Sequence, residues 1–351
     1  MAKVAVAMSG GVDSSAAAWL LGQQGYELLG LTLRLHPWGD PGDEVDAAAV
    51  AERLGFAHRT LDESEAFCRC VMDPFVAEYE QGRTPNPCVD CNRNIKFGVL
   101  LARARELGCA GVATGHYVRR EYDAGSGRWL LKTALHPEKD QSYVLYCLNQ
   151  NQLAGSLFPL GGLSKEEIRA IALEQGLVSA RKRDSQDICF VPDGDHAAFI
   201  CRHTGRTYPP GDFVSPDGRV LGQHEGIVRY TIGQRRGLGV SSANGRLYVT
   251  NIDPVANRVT LGDNDRLFSR VLEADGVNFI PFDRLNAPLR VQAKARYRQP
   301  AQPATVEQIA PDRIRVTFDQ PQRAVTPGQA VVLYDGDVVL GGGTIETAET
   351  E

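Results

Sequence analysis

Hydrophobic positions follow two alternating patterns over the first two hundred residues. Short apolar runs that are typical of buried strands lie at residues 3–8, 28–33 and 110–114. Helical spacing fills the stretches between and after them, at residues 14–21, 43–54, 63–80, 94–107 and 164–175. Ser164-Lys165-Glu166-Glu167 matches a capping box at the start of the last helix. Strands that alternate with helices at this spacing predict an α/β fold: a parallel sheet with helices on both faces.

The pattern changes from about residue 205, where helical spacing disappears and Gly and Pro become more frequent. Short predicted strands follow turns at residues 246–251, 258–261, 291–297, 313–318 and 330–334. Asn244-Gly245 and Asp335-Gly336 are hairpin signals. We therefore predict an N-terminal α/β domain over residues 1–204, a central β-rich domain over 205–273 and a C-terminal β-barrel over 274–351.

Composition and charge exclude several classes of protein. The chain has 351 residues, of which 43% are hydrophobic and 23% charged, so it is not largely disordered, fibrous or membrane-spanning. A net charge of −5 excludes a uniformly basic protein but leaves room for a local basic surface. Residues 202–273 carry 10 basic and 7 acidic groups, so the central region is locally basic. With neither a signal peptide nor a lipidation motif in the sequence, we expect a cytoplasmic protein without membrane contact.

A glycine- and serine-rich loop joins the first predicted strand to the first helix. Its sequence is Ser9-Gly10-Gly11-Val12-Asp13-Ser14-Ser15. Two glycines let the backbone approach a ligand closely, and the helix N-terminus and the hydroxyls offer donors to a phosphate. Asp13 would repel a phosphate directly, so we expect Mg²⁺ to bridge the two. The loop lacks the Gly-Lys-Ser/Thr ending of a Walker loop and the spacing of a dinucleotide fingerprint.

Three of the eight cysteines lie in polar segments, where burial does not explain them: Cys88, Cys91 and Cys189. Cys91 is expected just before a helix that begins at Asn94, where the helix dipole would lower the pKa of its thiol, assisted by Arg93 and Lys96. Cys189 follows the basic run Arg181-Lys182-Arg183.

Three interpretations of these cysteines remain open from the residues alone. Structural zinc needs two further ligands beyond Cys88 and Cys91, for which Cys68 and Cys70 are candidates. A 4Fe–4S cluster could use Cys88, Cys91 and Cys189 and keep one open iron. The favoured interpretation is a pair of redox thiols, one of which carries sulfur as a persulfide while the other resolves it.

The phosphate loop resembles that of the PP-loop ATP pyrophosphatases, which cleave ATP between the α and β phosphates. Further motifs make the whole chain similar to the tRNA-specific 2-thiouridylases within that superfamily. They are Gly82-Arg83-Thr84-Pro85-Asn86-Pro87, Cys91-Asn92-x-x-Ile95-Lys96-Phe97, Ala113-Thr114-Gly115-His116-Tyr117, Lys139-Asp140-Gln141-Ser142-Tyr143, Asp187-Ile188-Cys189-Phe190, Tyr230-Thr231-Ile232-Gly233-Gln234-Arg235, Arg296-Tyr297-Arg298 and Pro327-Gly328-Gln329.

The resemblance implies ATP-dependent thiolation of the wobble uridine U34 of tRNA, with Cys91 as nucleophile and Cys189 as persulfide carrier. It implies ATP contacts at Ala7, Met8, Ser9, Gly10, Gly11, Val12, Asp13, Ser14, Leu33 and Gly115. It implies tRNA contacts at Asn86, Pro87, Cys88, His116, Lys139, Asp140, Gln141, Arg296, Tyr297 and Gln329. The implied partners are the anticodon stem-loop of Lys-, Glu- and Gln-type tRNA and a sulfur donor such as a cysteine desulfurase or a relay protein.

Two positions depart from the family pattern. Many relatives have Asp where this chain has Cys88, and many have Met near Leu33. The Cys88 departure adds a third thiol to the site and strengthens the cluster interpretation.

Basic residues on one strand and in one loop are candidate contacts to RNA phosphates. Arg290, Lys294, Arg296 and Arg298 share one face of the predicted strand and are candidate phosphate contacts, as are Tyr230, Arg235 and Arg236 in a Gly-flanked loop. The sequence leaves two rival functions open: another PP-loop adenylating enzyme, which transfers nitrogen, and a non-catalytic RNA-binding module with a zinc-stabilised loop.

Overall fold

A computed structural model describes residues 1–38, 41–181, 188–240 and 245–350. Its strands are β1 (Lys3–Ala7), β2 (Glu27–Arg34), β3 (Ala57–Asp62), β4 (Val112–Ala113), β5 (Val118–Asp123), β6 (Arg128–Thr133), β7 (Ser156–Leu157), β8 (Gly211–Val214), β9 (Val220–His224), β10 (Tyr248–Asp253), β11 (Arg258–Gly262), β12 (Phe268–Phe279), β13 (Leu289–Lys294), β14 (Gln302–Ala310), β15 (Arg313–Arg323), β16 (Ala330–Asp335) and β17 (Val338–Thr350).

The α-helices are α1 (Val12–Gln23), α2 (Pro41–Leu54), α3 (Ser64–Phe67), α4 (Asp73–Glu80), α5 (Pro87–Asp90), α6 (Leu100–Glu106), α7 (Gln150–Ala154), α8 (Lys165–Glu174) and α9 (His196–Thr204). Two π-helical segments, Cys68–Met72 and Cys91–Val99, connect α3 to α4 and α5 to α6. Short 3-10 turns lie at Pro137–Lys139, Ser142–Val144, Val178–Arg181, Ile227–Arg229 and Asn264–Leu267. None of the helices in the described ranges is both long and apolar enough to cross a membrane.

The predicted parallel sheet is confirmed. Its strand order is β3-β2-β1-β4-β7, and every neighbouring pair is parallel. The chain builds this sheet outward from β1 through β2 to β3 and then crosses to the other side of β1 for β4. This reversal creates a switch point between β1 and β4, where ligands bind at the carboxyl ends of the strands in open α/β sheets.

The β-rich remainder forms two further sheets. One has the order β10-β11-β8-β9, and the other closes β12-β15-β14-β13-β16-β17 into a barrel through the pairing of β12 with β17. The α/β fold class with a final β-barrel is thus confirmed. The Asp335-Gly336 hairpin is also confirmed because β16 and β17 pair through Asp335 and Val338. The hairpin signal at Asn244 and the residues 182–187 before Cys189 lie outside the described residues.

Two sequence predictions on element bounds are wrong. The segment 63–80 is not one α-helix, because a π-helical segment interrupts it at Cys68–Met72. The helix predicted to begin at Asn94 begins at Pro87 instead, because a proline is well suited to the first position of a helix and Pro87 occupies that position in α5. The capping box is confirmed: the Ser164 hydroxyl accepts from Glu167 N, and the Glu167 carboxylate accepts from Ser164 N.

The hydrophobic core joins the first and central parts of the chain. Phe67, Phe75 and Cys91 from the helical region share one buried cluster with Phe213 and Val249 from the central sheet. The β5–β6 hairpin, which the sequence did not reveal, extends the barrel sheet because Lys132 pairs with Val338. These contacts hold the cysteine-bearing helices against both β-rich modules.

Candidate functional site

The glycine- and serine-rich loop lies at the switch point of the parallel sheet. It follows the carboxyl end of β1, directly beside the segment that follows β4. Ala7 is the last residue of β1, Met8 follows it, and Leu33 lies near the end of β2. These three apolar residues assigned to ATP therefore lie at the carboxyl ends of neighbouring strands. The parallel topology therefore brings together residues that the sequence assigns to one ligand.

Two glycines allow the loop to take this path. Gly10 has φ +68°, and a Cβ there would lie 2.5 Å from the carbonyl oxygen of Asp43. A Cβ on Gly115 would lie 2.9 Å from the backbone carbonyl carbon of Asp13 and 2.9 Å from the Ser14 nitrogen. Any larger side chain would push the β4 segment and the phosphate loop apart.

The N-terminus of α1 lies at the loop, whereas the Ser14 and Ser15 hydroxyls that the sequence offered to a phosphate donate to the loop backbone instead. Helix α1 begins directly after Gly11, which has no side chain with which to cap the first N–H groups of the helix, so these groups are suited to an anion. The Ser14 and Ser15 hydroxyls both donate to the carbonyl oxygen of Gly11, at 3.0 and 2.9 Å. These bonds fix the tight turn in which the helix dipole points at the loop.

Lys165, the first residue of α8, contacts this loop and is not among the predicted site residues. Its Nζ donates to Asp13 Oδ1 at 2.6 Å, and the Tyr117 hydroxyl donates to the same oxygen at 2.6 Å. The Lys165 side chain is only 5% exposed. A signal was present in the sequence, since a lysine in the first turn of a helix opposes the helix dipole. A buried cation from α8 thus lies beside the carboxylate for which the sequence predicted a Mg²⁺ bridge.

Cys91 lies inside a helix, because α5 begins at Pro87 and runs directly into the π-helical segment that contains Cys91. The predicted position before a helix N-terminus is therefore wrong, and so is the predicted lowering of the Cys91 pKa. Burial raises the pKa of Cys91 to about 12, and this effect outweighs the opposing charge of Lys96. Arg93 acts elsewhere, on Cys147, Tyr146 and Asp90.

The structure brings Cys88, Cys91 and Cys189 together, and we call these three residues the thiol cluster. Negative charge on Cys189 or Cys88 raises the pKa of Cys91, and charge on Cys88 raises the pKa of Cys189. Lys96 lowers the pKa of all three thiols. Cys88 and Cys189 are exposed, yet desolvation raises the pKa of both. Solvent can therefore reach both sulfur-bearing side chains, although nearby protein disfavours their thiolate forms.

The zinc interpretation is not supported for these thiols. Within the described ranges, one group of three ligand types has its donor atoms within 4.8 Å of one another, and it contains Cys68, Asp73 and His203 but no member of the thiol cluster. Cys70 lies on the same π-helical segment as Cys68 and outside that group. Neither residue therefore completes a four-ligand site with Cys88 and Cys91.

Three polar groups with perturbed or incomplete interactions lie on the helical segment of Cys91 or against it. His116 Nδ1 and the Thr114 hydroxyl share a hydrogen bond of 2.8 Å, and burial together with Lys96 lowers the pKa of His116 well below the usual value. Its imidazole is therefore neutral at neutral pH. Asn92 donates to the carbonyl oxygen of Val144, while its Oδ1 is buried without a hydrogen-bond partner in the described residues. Burial raises the pKa of Asp90 to about 6, a perturbation that the sequence did not signal.

Several residues assigned to tRNA hold the protein itself together. Asp140 accepts hydrogen bonds from Ala134 N and from the Ser142 hydroxyl, and Gln141 Oε1 accepts from Tyr117 N at 2.9 Å. Lys139 ends the 3-10 turn directly before them. Tyr297 is 40% exposed, and its hydroxyl lies 3.4 Å from the carbonyl oxygen of Asp140. Cys88 and Asp140 both raise its pKa, so Tyr297 brings the barrel to the edge of the thiol cluster.

Arg296 and Gln329 connect the barrel to other parts of the chain. The Arg296 guanidinium donates to the carbonyl oxygens of Ala324 and Ile232. Gln329 Nε2 donates to the carbonyl oxygens of Thr84 and Pro85 at 2.8 and 3.0 Å. This anchors the loop that leads through Asn86 and Pro87 to Cys88.

The predicted charged strand face is wrong in its extent, since β13 ends at Lys294 and both Arg296 and Arg298 lie in the following turn. Arg290 forms a two-point ion pair with Asp319, at 2.8 and 2.7 Å. Tyr230 is buried beside Phe213 and belongs to the core, whereas Arg235 and Arg236 are exposed.

A partly buried ion pair, which the sequence did not predict, joins the cysteine loop to the barrel. Arg83 donates to Glu346 at 2.7 Å and to Glu78 at 2.7 Å, and its side chain is 16% exposed. Thr84 N donates to the carbonyl oxygen of Pro327 at 2.9 Å. The position of Cys88 therefore depends on contacts between its loop and the barrel as well as on helix α5.

The parallel sheet and the loop at its switch point define a PP-loop protein. A family model described as a tRNA methyl transferase HUP domain matches residues 2–193. A tRNA methyl transferase PRC-barrel domain model matches residues 197–263, and an aminomethyltransferase beta-barrel domain model matches residues 269–345.

Named relatives match over nearly the full chain. A tRNA-specific 2-thiouridylase MnmA from Clostridioides difficile is 47% identical over 358 residues, covering 98% of this chain and 98% of the relative. A tRNA-specific 2-thiouridylase MnmA 1 from Caldanaerobacter subterraneus is 49% identical over 356 residues, again covering 98% of each. The chain belongs to the tRNA-specific 2-thiouridylase family of enzymes.

Proposed function

We propose that this chain catalyses ATP-dependent 2-thiolation of the wobble uridine of tRNA, with release of AMP and pyrophosphate. The meeting of Cys189 with Cys91 and Cys88 beside Lys96 carries the proposal. Transfer of nitrogen by a PP-loop enzyme needs no such thiols, and a passive RNA-binding module needs neither thiols nor a phosphate loop. The named relatives at 47–49% identity support the same activity.

ATP binds the loop between β1 and α1 in this proposal. The α1 N-terminus and the loop backbone are suited to the phosphates, and Lys165 offsets the negative charge of Asp13 that would otherwise repel them. The residues also fit Mg²⁺, because a single carboxylate together with phosphate oxygens and water is an ordinary ligand set for that ion. Asp13 would hold the ion, which would neutralise phosphate charge during pyrophosphate release.

The uridine is activated first. Its C2 oxygen attacks the α-phosphorus of ATP, the bond from that phosphorus to the bridging oxygen of pyrophosphate breaks, and C2 then carries AMP as a leaving group. Positioning and charge neutralisation provide most of such a rate enhancement. The target base must leave its stack to reach the site. Exposed Tyr297 at the edge of the thiol cluster is suited to contact an unstacked base.

Sulfur transfer follows from a persulfide on Cys189. The terminal sulfur of the persulfide forms a bond to C2, and AMP departs with the former C2 oxygen. The Cys91 thiolate then attacks Sγ of Cys189, the bond between Sγ and the transferred sulfur breaks, and thiouridine leaves with that electron pair. The product is a Cys91–Cys189 disulfide, which a dithiol reductant must reduce. Lys96 stabilises negative charge on each sulfur in turn.

A 4Fe–4S cluster on Cys88, Cys91 and Cys189 is a second candidate, and the mutual interaction of all three thiols favours it. Three thiols are a ligand set that such clusters use. The cluster would hold sulfur at an open coordination position, and no disulfide would form. Anaerobic purification with iron and sulfide assays distinguishes the two schemes, since a stoichiometric cluster that Cys88→Ala abolishes would replace the disulfide route.

We also propose a role for each domain, a set of tRNA contacts and a source of sulfur for this reaction. Residues 1–204 carry the ATP and sulfur chemistry, while residues 205–273 and 274–351 bind tRNA. The tRNA contacts include Asn86, Pro87, His116, Lys139 and Tyr297. A sulfur-donor protein loads Cys189, whose exposure suits such an exchange.

Single-turnover thiolation of an anticodon stem-loop tests the proposal. Cys189→Ser should retain tRNA binding and tRNA-dependent release of pyrophosphate but form no thiouridine. Cys201→Ser, a partly exposed cysteine outside the thiol cluster, is the matched control and should be active. Thiouridine formation by Cys189→Ser would refute the persulfide role, and absence of tRNA-dependent ATP turnover in the unmodified chain would refute the function.

A further inference from the structure

A group of three side chains of the types that bind metal ions lies outside the thiol cluster. It consists of Cys68, Asp73 and His203, whose Sγ, carboxylate oxygen and ring nitrogen all lie within 4.8 Å of one another. The charge of Asp73 shifts the pKa of Cys68. The pKa of Cys91 is shifted by a different set of charges, on Cys189, Cys88, Lys96 and Asp90. The two groups are therefore electrostatically separate.

The π-helical segment Cys68–Met72 is what places the first two of these residues side by side. Residues five apart in an α-helix differ by about 140° around the axis, at about 100° per residue, and face different directions. In the π-helix, Asp73 N donates to the carbonyl oxygen of Cys68, five residues earlier. The wider turn brings the two side chains together, and Cys68 Sγ lies 3.6 Å from Asp73 Oδ1.

His203 completes the group from a distant part of the chain. It lies in the last turn of α9, and its Nε2 is 2.7 Å from Asp73 Oδ1. Its ring stacks on Phe199 one turn earlier, with ring centroids 5.5 Å apart and planes inclined by 23°. Phe199 is buried in the core, so the orientation of the imidazole is fixed. The Asp73 side chain is 55% exposed, which leaves an approach from solvent.

We propose that Cys68, Asp73 and His203 bind a divalent transition metal of the Zn²⁺ class. A thiolate, an imidazole nitrogen and a carboxylate oxygen are the three ligand types that Zn²⁺ uses in proteins, and a water molecule takes the fourth tetrahedral position. Cys68 loses its proton on binding, and the Nε2 proton of His203 moves to Nδ1 or to solvent. The ion would join the π-helical segment to the end of α9, close to the start of the central module.

Cobalt titration of the full chain tests the site, because Co²⁺ replaces Zn²⁺ and absorbs light when a thiolate binds it. The titration uses a Cys88→Ser, Cys91→Ser, Cys189→Ser background, which removes the thiol cluster as a competitor. We expect one equivalent of Co²⁺ with a thiolate charge-transfer band that Zn²⁺ displaces. Adding Cys68→Ser should abolish the band, and His203→Gln should weaken binding at least about 10-fold.

Cys70→Ser is the matched control, since Cys70 lies on the same π-helical segment outside the group, and it should bind Co²⁺ normally. A band that persists after Cys68→Ser, or no stoichiometric binding in the background protein, overturns the proposal. If the background protein does not fold, the difference in Co²⁺ absorbance between the unmodified chain and Cys68→Ser gives the same decision.

Discussion

The most informative test concerns the acidity of Cys91. The structure buries this thiol inside a helix and raises its pKa from 9.0 to about 12. Three pH units lower the thiolate fraction about 1000-fold at any pH below both values. The thiolate that does form is about 20-fold more nucleophilic, given a Brønsted coefficient of about 0.45. We therefore expect Cys91 to react about 50-fold more slowly than an ordinary free thiol, before any further slowing from its 8% exposure.

Alkylation with isotopically coded iodoacetamide measures this difference. Glutathione in the same tube serves as the ordinary thiol, and peptide fragmentation separates Cys91 from Cys88. The rate at Cys91 should rise with pH beyond pH 9 without reaching a plateau, and thermal unfolding should bring it to the rate of a free thiol. A Cys91 rate within a factor of about three of glutathione at pH 8, or a plateau below pH 10, would refute the argument from burial.

Three further predictions follow from the loop and barrel contacts. The Arg83–Glu346 pair should show a coupling free energy of about 1–3 kcal/mol in a double-mutant cycle of urea unfolding. The more exposed Arg290–Asp319 pair should show far less. Equal coupling energies would contradict the argument that partial burial strengthens the Arg83–Glu346 pair. Since Arg83 lowers the pKa of Glu346 from 4.5, this stabilisation should be present at neutral pH and lost as the pH falls through the lowered value, an acid loss that Glu346→Gln should not show. Gly10→Ala should destabilise the chain by at least about 1–2 kcal/mol and weaken ATP binding in a filter assay. Gly25→Ala, also at positive φ but with open space around it, should lower stability without changing ATP binding. Normal ATP binding by Gly10→Ala would be evidence against the loop as the ATP site.

The raised pKa of Cys91 has a consequence for the proposed reaction. A protonated, buried Cys91 cannot attack a persulfide on Cys189 prematurely and release its sulfur before uridine is activated. The positive charge of Lys96 opposes the effect of burial and would assist the step at which Cys91 loses its proton. In the proposed reaction, burial of Cys91 would therefore control the order of the steps.

The sequence by itself determined the parallel sheet, the phosphate loop and the family. These depend on local information: apolar runs, helix spacing and glycines whose positions the turn requires. Cys88, Cys91 and Cys189 were identified for the same reason, as residue types that burial does not explain. The capping box at Ser164 was correct because both of its bonds form within one turn.

Only the tertiary structure decided the environment of those residues. The pKa of Cys91 depends on desolvation by residues distant in the chain, and the local helix signal therefore gave the wrong direction. Lys165, Glu346 and His203 act on residues more than a hundred positions away, at Asp13, Arg83 and Asp73. The π-helical segments bring side chains five residues apart together, which α-helical spacing does not predict. Sequence specifies which groups are present, and packing specifies which of them meet and how strongly each holds its proton.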